Sequence, residues 1–109
     1  MADQEITDEE LRDDLLKRFS DLENLEAKEM FGGYAIYSEG KFFCIVFHGR
    51  FYFRVNDRTR PDYVNHGMAP FAPSERVKLT TYFEVPGEVA TSHGKLLNWA
   101  RASIGGMGT

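Results

Sequence analysis

A chain of 109 residues and 12.5 kDa is the size of one domain and leaves no room for a second, catalytic one. Hydrophobic residues at 42%, charged at 28% and aromatic at 14% describe a globular chain with a core, and exclude disordered, collagen-like and coiled-coil classes. The net charge of −4 is uneven: residues 1–30 hold eleven acids against four bases, residues 31–109 nine bases against six acids, so a wholly nucleic-acid-binding surface is excluded but a local basic patch is not.

Thr7-Asp8-Glu9-Glu10 has the spacing of a capping box and starts a helix. Leu11, Leu15, Leu16, Phe19, Leu22 and Leu25 follow on one face at about 100° per residue, and the acids of the first turn suit the helix dipole. From Lys28 the period becomes strand-like, predicting three antiparallel strands over 28–37, 41–48 and 50–56. Ser38-Glu39-Gly40 fits a three-residue hairpin loop and His48-Gly49 a two-residue turn, while Gly32-Gly33 reads as a bend or bulge. Phe42 to Phe47 is apolar at both parities, so this strand needs cover on both faces. Helices supply one cover; more protein or a partner subunit supplies the other, the second case being a homodimer.

Asp57 to Tyr63 begins a short helix with Thr59 as cap and Pro61 in its first turn, ended by Gly67 in a left-handed conformation. Arg76 to Val85 reads as a strand paired with a short one near Phe71, and Pro86-Gly87 turns it out of the sheet. Ser92 caps a last helix carrying Leu96, Trp99, Ala100 and Ile104 at 3–4-residue spacing, with 105–109 as a fraying tail. The order α-β-β-β-α-β-β-α defines a single α+β domain, its core over about 7–104.

One cysteine, Cys44, excludes an intrachain disulfide and points to a reducing compartment. The acidic amino end and the lack of any apolar run near ~18 residues predict a cytoplasmic chain with no membrane partner. Cys44 and His48 lie about 13 Å apart on a strand, too far to share a metal, so no metal and no cofactor is expected. Six residues separate Gly33 from Gly40, and Phe42 follows Lys41, which departs from a phosphate loop. No nucleophile, base and orienting group assemble from spacing, and the chain is expected not to be an enzyme.

The remaining motif is His48 to Arg60, where arginines interleave with aromatics. On a strand, Arg50, Tyr52 and Arg54 share the face opposite Phe51, Phe53 and Val55, and Arg58 and Arg60 follow, facing Asp57 and Asp62 as candidate ion-pair partners. Guanidinium groups beside an exposed tyrosine contact phosphates and stack on unpaired bases, so Arg50, Tyr52, Arg54, Arg58 and Arg60 form the candidate nucleic-acid or protein-contact set.

Met30-Phe31-Gly32-Gly33-Tyr34-Ala35-Ile36-Tyr37 resembles the amino-terminal domain of the TfoX (Sxy) competence regulators. The resemblance continues through Gly40 to Phe43, Gly49 to Asp57, Gly67 to Phe71, Tyr82 to Pro86 and Leu96 to Ala100, covering roughly residues 11–104 in order. It implies an α+β fold similar to the secretion chaperones, no catalytic residues, and a bacterial regulatory or interaction module. Longer members regulate natural transformation with the cyclic-AMP receptor protein and carry a second, helical domain. Ser92 stands where relatives often have an aspartate and keeps the capping role. The expected function is protein–protein contact in transcription-related regulation; the alternative is nucleic-acid binding through 50–60.

Overall fold

In the computed structural model, the described residues are 7–30 and 32–105. Helix α1 (Asp8–Arg18) starts at the expected capping box: the Thr7 hydroxyl accepts the Glu10 N–H at 3.1 Å and the Glu10 carboxylate accepts the Thr7 N–H at 3.0 Å. Leu11 and Leu15 are buried, and Phe19, the C-cap, follows them into the core. The helix stops there, two turns short of the predicted apolar stripe. Leu22 packs on the core from the turn beyond, and Asn24 at φ 51° swings the chain into a strand that Leu25 opens. Ser20 to Asn24 offers turn-forming side chains where the helix would need propensity.

Six strands form one antiparallel sheet of order β1-β2-β3-β4-β6-β5, with β1 (Leu25–Met30), β2 (Gly33–Ser38), β3 (Lys41–Phe47), β4 (Arg50–Arg54), β5 (Pro70–Phe71) and β6 (Leu79–Glu84). The expected single strand 28–37 is therefore a hairpin. Met30 pairs with Gly33, and Gly32 takes φ +81° in the turn. Gly33 has a second reason to be glycine: a Cβ there would lie 2.0 Å from the Val46 carbonyl oxygen of β3. Between β2 and β3 the loop is two residues, Glu39-Gly40, both at positive φ, rather than three. His48-Gly49 turns as expected, with φ of 52° and 77°. It is also held from outside, because both oxygens of Asp8 accept the His48 and Gly49 amides at 2.9 and 2.7 Å.

The pairing shifts register after Ile36: Ile36 faces Cys44 but Tyr37 faces Phe42, which leaves Phe43 as the extra residue of a β-bulge. The bulge sends both Phe43 and Cys44 to the helical side, and Phe42, Ile45 and Phe47 to the other. That resolves the apolar run without parity. On the helical side Phe43 meets Phe19 and Phe53 at ring distances of 5.4 and 5.8 Å, in the core shared with Leu15, Leu96 and Ala100. Each such buried ring contributes about 2 kcal/mol through its area, and each tilted pair about 0.5–1 kcal/mol more.

Helix α2 (Arg60–Asn65) follows Thr59, with Pro61 in its first turn, as expected. Thr59 occupies the cap position, yet its hydroxyl serves the Asn56 amide, while Asn56 accepts from the Arg58 and Thr59 amides. Gly67 follows at φ +74°, as predicted. Pro86-Gly87 opens a short helix absent from the predicted order, α3 (Gly87–Ala90), and α4 (His93–Gly105) follows with Ser92 accepting the Lys95 amide at 3.4 Å. Arg18 ties α1 to α3 by donating to the Ala90 carbonyl. Gly105 closes α4, so the tail expected from 105 falls otherwise outside the described residues.

Among the described residues, no helix lies on the second sheet face. A smaller cluster of Ile45, Tyr52, Phe71 and Tyr82 fills it, flanked by Phe42, Phe47 and Leu79. Phe71 seats on Tyr52 at 4.9 Å and on Phe47 at 5.2 Å, edge-on to both rings. The second cover of β3 is thus the chain's own β5–β6 unit, and the burial of Ile45 needs no partner subunit.

Replacing Gly33 by alanine forces β2 and β3 apart and is expected to lower unfolding stability by about 3 kcal/mol. Gly87, whose Cβ would meet nothing within 4 Å, is the control: Gly87→Ala should change stability by less than about 1 kcal/mol. Urea denaturation of both variants checks the contrast.

Candidate interaction surface

Alternation along β4 places Arg50, Tyr52 and Arg54 on the helix-free face, as the sequence predicts, but not as three exposed groups. Tyr52 is only 9% exposed, beneath Phe71. Burial pushes its hydroxyl up, with Glu84 adding to the shift and Arg50 opposing it. The expected solvent-facing tyrosine is thus part of the second cluster, because β5 folds its Phe71 onto that position. Arg50 is exposed and pairs with Glu84 across the strands at 3.2 Å. Arg58 is exposed in the turn after β4, and Arg60, in the first turn of α2, reaches Asp57 at 3.1 Å. Arg54, Arg58 and Arg101 have no carboxylate partner among the described residues.

A different set comes together on the same face. Lys28 of β1 lies 5.1 Å from the Tyr37 ring of β2; Tyr37 meets Phe42 of β3 at 5.3 Å; Phe42 meets Tyr82 of β6 at 5.1 Å; and the Arg54 guanidinium lies 6.0 Å from the Tyr82 ring. The Tyr82 hydroxyl crosses β4 to donate to the Phe42 carbonyl at 3.0 Å, which fixes the centre of the row. Three tilted rings thus run across the sheet with a cation against each end, an arrangement in which ring quadrupoles hold the charges in place. Tyr37 and Phe42 are half-buried, and Lys28 and Arg54 are exposed. Sequence reasoning missed this row for a concrete reason. On one strand 28–37, Lys28 and Tyr37 have opposite parity; the hairpin at Gly32 puts them on the same face, and the bulge at Phe43 does the same for Phe42.

The groups with chemical reactivity lie elsewhere. Cys44 is fully buried among apolar side chains, and burial pushes its thiol far above the ordinary value of 9.0. His48 sits exposed at the turn, stacked on Phe47 at 3.9 Å. His66 donates its Nδ1–H to the Asp62 carbonyl, and its Nε2 stands 3.7 Å from Glu88. No group of three histidine, cysteine or carboxylate residues among those described is placed to hold a metal ion, and no helix among them is long and apolar enough to cross a membrane. Two open hollows of similar size, about 680 Å³ beside Thr7, Asp8, Glu29 and Tyr34 and about 690 Å³ beside Asn24, Glu26 and Glu39, are lined by none of the arginines of the candidate set. In the first, Asp8 already spends both oxygens on the β3–β4 turn.

The fold and this surface define a small α+β domain with a fully buried thiol and an aromatic–cation row on the sheet face that carries no helix among the described residues. Residues 17–106, nearly the whole chain, match the TfoX N-terminal domain, and the chain belongs to that family. No curated protein matches it.

The buried thiol gives stability a pH dependence of known sign. Below about pH 9 folded and unfolded chains both keep the proton; above it the unfolded chain releases a proton that the folded chain retains, so stability falls as pH rises, at up to about 1.4 kcal/mol per pH unit from this group. Tyr63, buried and likewise raised, adds to the fall above pH 10. Denaturation between pH 8 and 10 should show the slope in the native chain and lose most of it in Cys44→Ala.

Proposed function

We propose that this TfoX N-terminal domain is a non-enzymatic regulatory module of the cytoplasm, acting by protein–protein contact in transcription-related control through the helix-free face of its sheet. The Lys28–Tyr37–Phe42–Tyr82–Arg54 row carries the reading. Its rings are pre-ordered by one another and by the Tyr82 hydrogen bond, so little side-chain freedom is lost on contact. A partner combining apolar side chains with carboxylates complements rings whose ends bear cations. The burial of Cys44 supports a non-enzymatic role by keeping the most nucleophilic side chain protonated and out of reach.

The arginines favour a second reading, nucleic-acid binding, since Arg54 and Arg58 are exposed without carboxylate partners among the described residues. The row weighs against base stacking. Tyr37 lies between Lys28 and Phe42, Phe42 between Tyr37 and Tyr82, and Tyr82 between Phe42 and Arg54, so the neighbouring groups compete with a base for each ring. Tyr52, the ring the sequence offers for stacking, is under Phe71.

The test uses the chain as bait in extracts of its source cell. Protein contact through the row is expected to give a captured protein that is lost with Tyr37→Asp and with Arg54→Glu but kept with Arg101→Glu on the helical side. Capture indifferent to the row variants rejects this face. A parallel titration with labelled single-stranded and duplex oligonucleotides decides the second reading: affinity falling steeply between low and moderate salt, and weakened by Arg54→Glu, moves the assignment to nucleic acid.

A further inference from the structure

The two edges of the sheet differ. β5 is two residues long and contains Pro70, which has no amide to offer, so that edge is blunted against pairing. β1 is six residues long, pairs only with β2, and presents its other side unpaired among the described residues. Its sequence around the midpoint is Glu26-Ala27-Lys28, and both charged side chains are exposed on the same, helix-free side of the strand.

We propose that this edge is self-complementary and pairs with β1 of a second copy, antiparallel and centred on Ala27. In that register Ala27 lies opposite Ala27 of the other copy, and the two-fold axis between them is lined by the smallest side chain of the strand. Glu26 lies opposite Lys28 of the other copy, and Lys28 opposite Glu26, so one axis creates two opposite-charge cross-strand pairs. A shift by one residue, centring between Ala27 and Lys28, sets Glu26 against Glu29 of the other copy and replaces both attractions with repulsions. A shift the other way sets Lys28 against Leu25 and Glu26 against Ala27, so it loses both attractions, and charge favours the Ala27-centred register over either neighbour. Glu29 and Leu25 oppose each other on the helical side, where the exposed Glu29 remains in water. The inference does not rest on the protein-contact reading above: it uses the edge of the sheet, shares only Lys28 with the aromatic row, and leaves Tyr37, Phe42, Tyr82 and Arg54 open in both copies.

Sedimentation equilibrium of the full chain and two variants tests it. The native chain should show a concentration-dependent dimer. Lys28→Glu sets a second carboxylate opposite Glu26 in both cross-strand pairs, and Glu26→Lys sets a second ammonium opposite Lys28 in both, so each variant alone should dimerise at least about tenfold more weakly. An equimolar mixture of the two variants joins unlike charges again in the mixed dimer, which should regain native affinity; a variant weakened merely by damage to its fold would not be rescued. A native chain that stays monomeric at its highest soluble concentration overturns the proposal. So does a dimer indifferent to both substitutions, or a mixture no tighter than its components.

Discussion

The extra residue in β3 is the constraint on which most of this molecule depends. By taking Phe43 out of the alternation, the bulge lets two consecutive residues face the helices, and Phe43 becomes the ring against which Phe19 of α1 and Phe53 of β4 close. The same step turns Phe42 to the opposite face, where it stands between Tyr37 and Tyr82. It also buries Cys44 completely. Docking of the first helix, the aromatic row and the silence of the thiol are thus consequences of one local change in backbone register, in the strand that both covers of the sheet share.

Around that strand the sheet is packed asymmetrically. Four helices hold the helical side: α1 through Leu11, Leu15 and its C-cap Phe19, α2 through Tyr63, α3 through Val89, and α4 through Leu96, Leu97 and Ala100. Among the described residues the other side is held by strand residues, with Phe71 as its lid. A helical cover hides side chains behind a cylinder some 10 Å across, whereas a lid of two residues leaves the neighbouring rings half open. Among its described residues this chain therefore leaves one sheet face without helices, with a cation against each end of the half-buried ring row there.

Charge follows the same division. Among the described acids of the first thirty residues, Glu10 closes the capping box and Asp14 reaches Arg18 within α1, while Asp8 fastens the distant β3–β4 turn. Two of the five residues singled out from sequence, Arg50 and Arg60, are in exposed ion pairs of small energetic weight. Arg54 differs, since its guanidinium is held by a ring rather than a carboxylate and keeps its charge available to an incoming group. These bases differ less in number than in what each rests on.

Local chemistry alone settled the caps, most turns and the class of fold. Thr7 and Glu10 three residues apart, His48-Gly49 between two apolar runs, and Ser92 ahead of a 3–4-residue repeat each act through neighbours in the chain, so their meaning is readable without a partner element. The family resemblance was legible for a related reason, since glycines and aromatics at fixed intervals mark where the backbone must turn or approach closely. Gly33 shows the limit: its presence was visible, but the Val46 carbonyl that forbids a side chain there belongs to another strand. The split of 28–37 into two strands, the bulge at Phe43, the burial of Tyr52 and the meeting of Lys28, Tyr37, Phe42, Tyr82 and Arg54 depended on which strands lie side by side. Period-2 alternation assigns a residue to one of two faces, but register and folding-back decide which face is which, and only the assembled sheet supplies them.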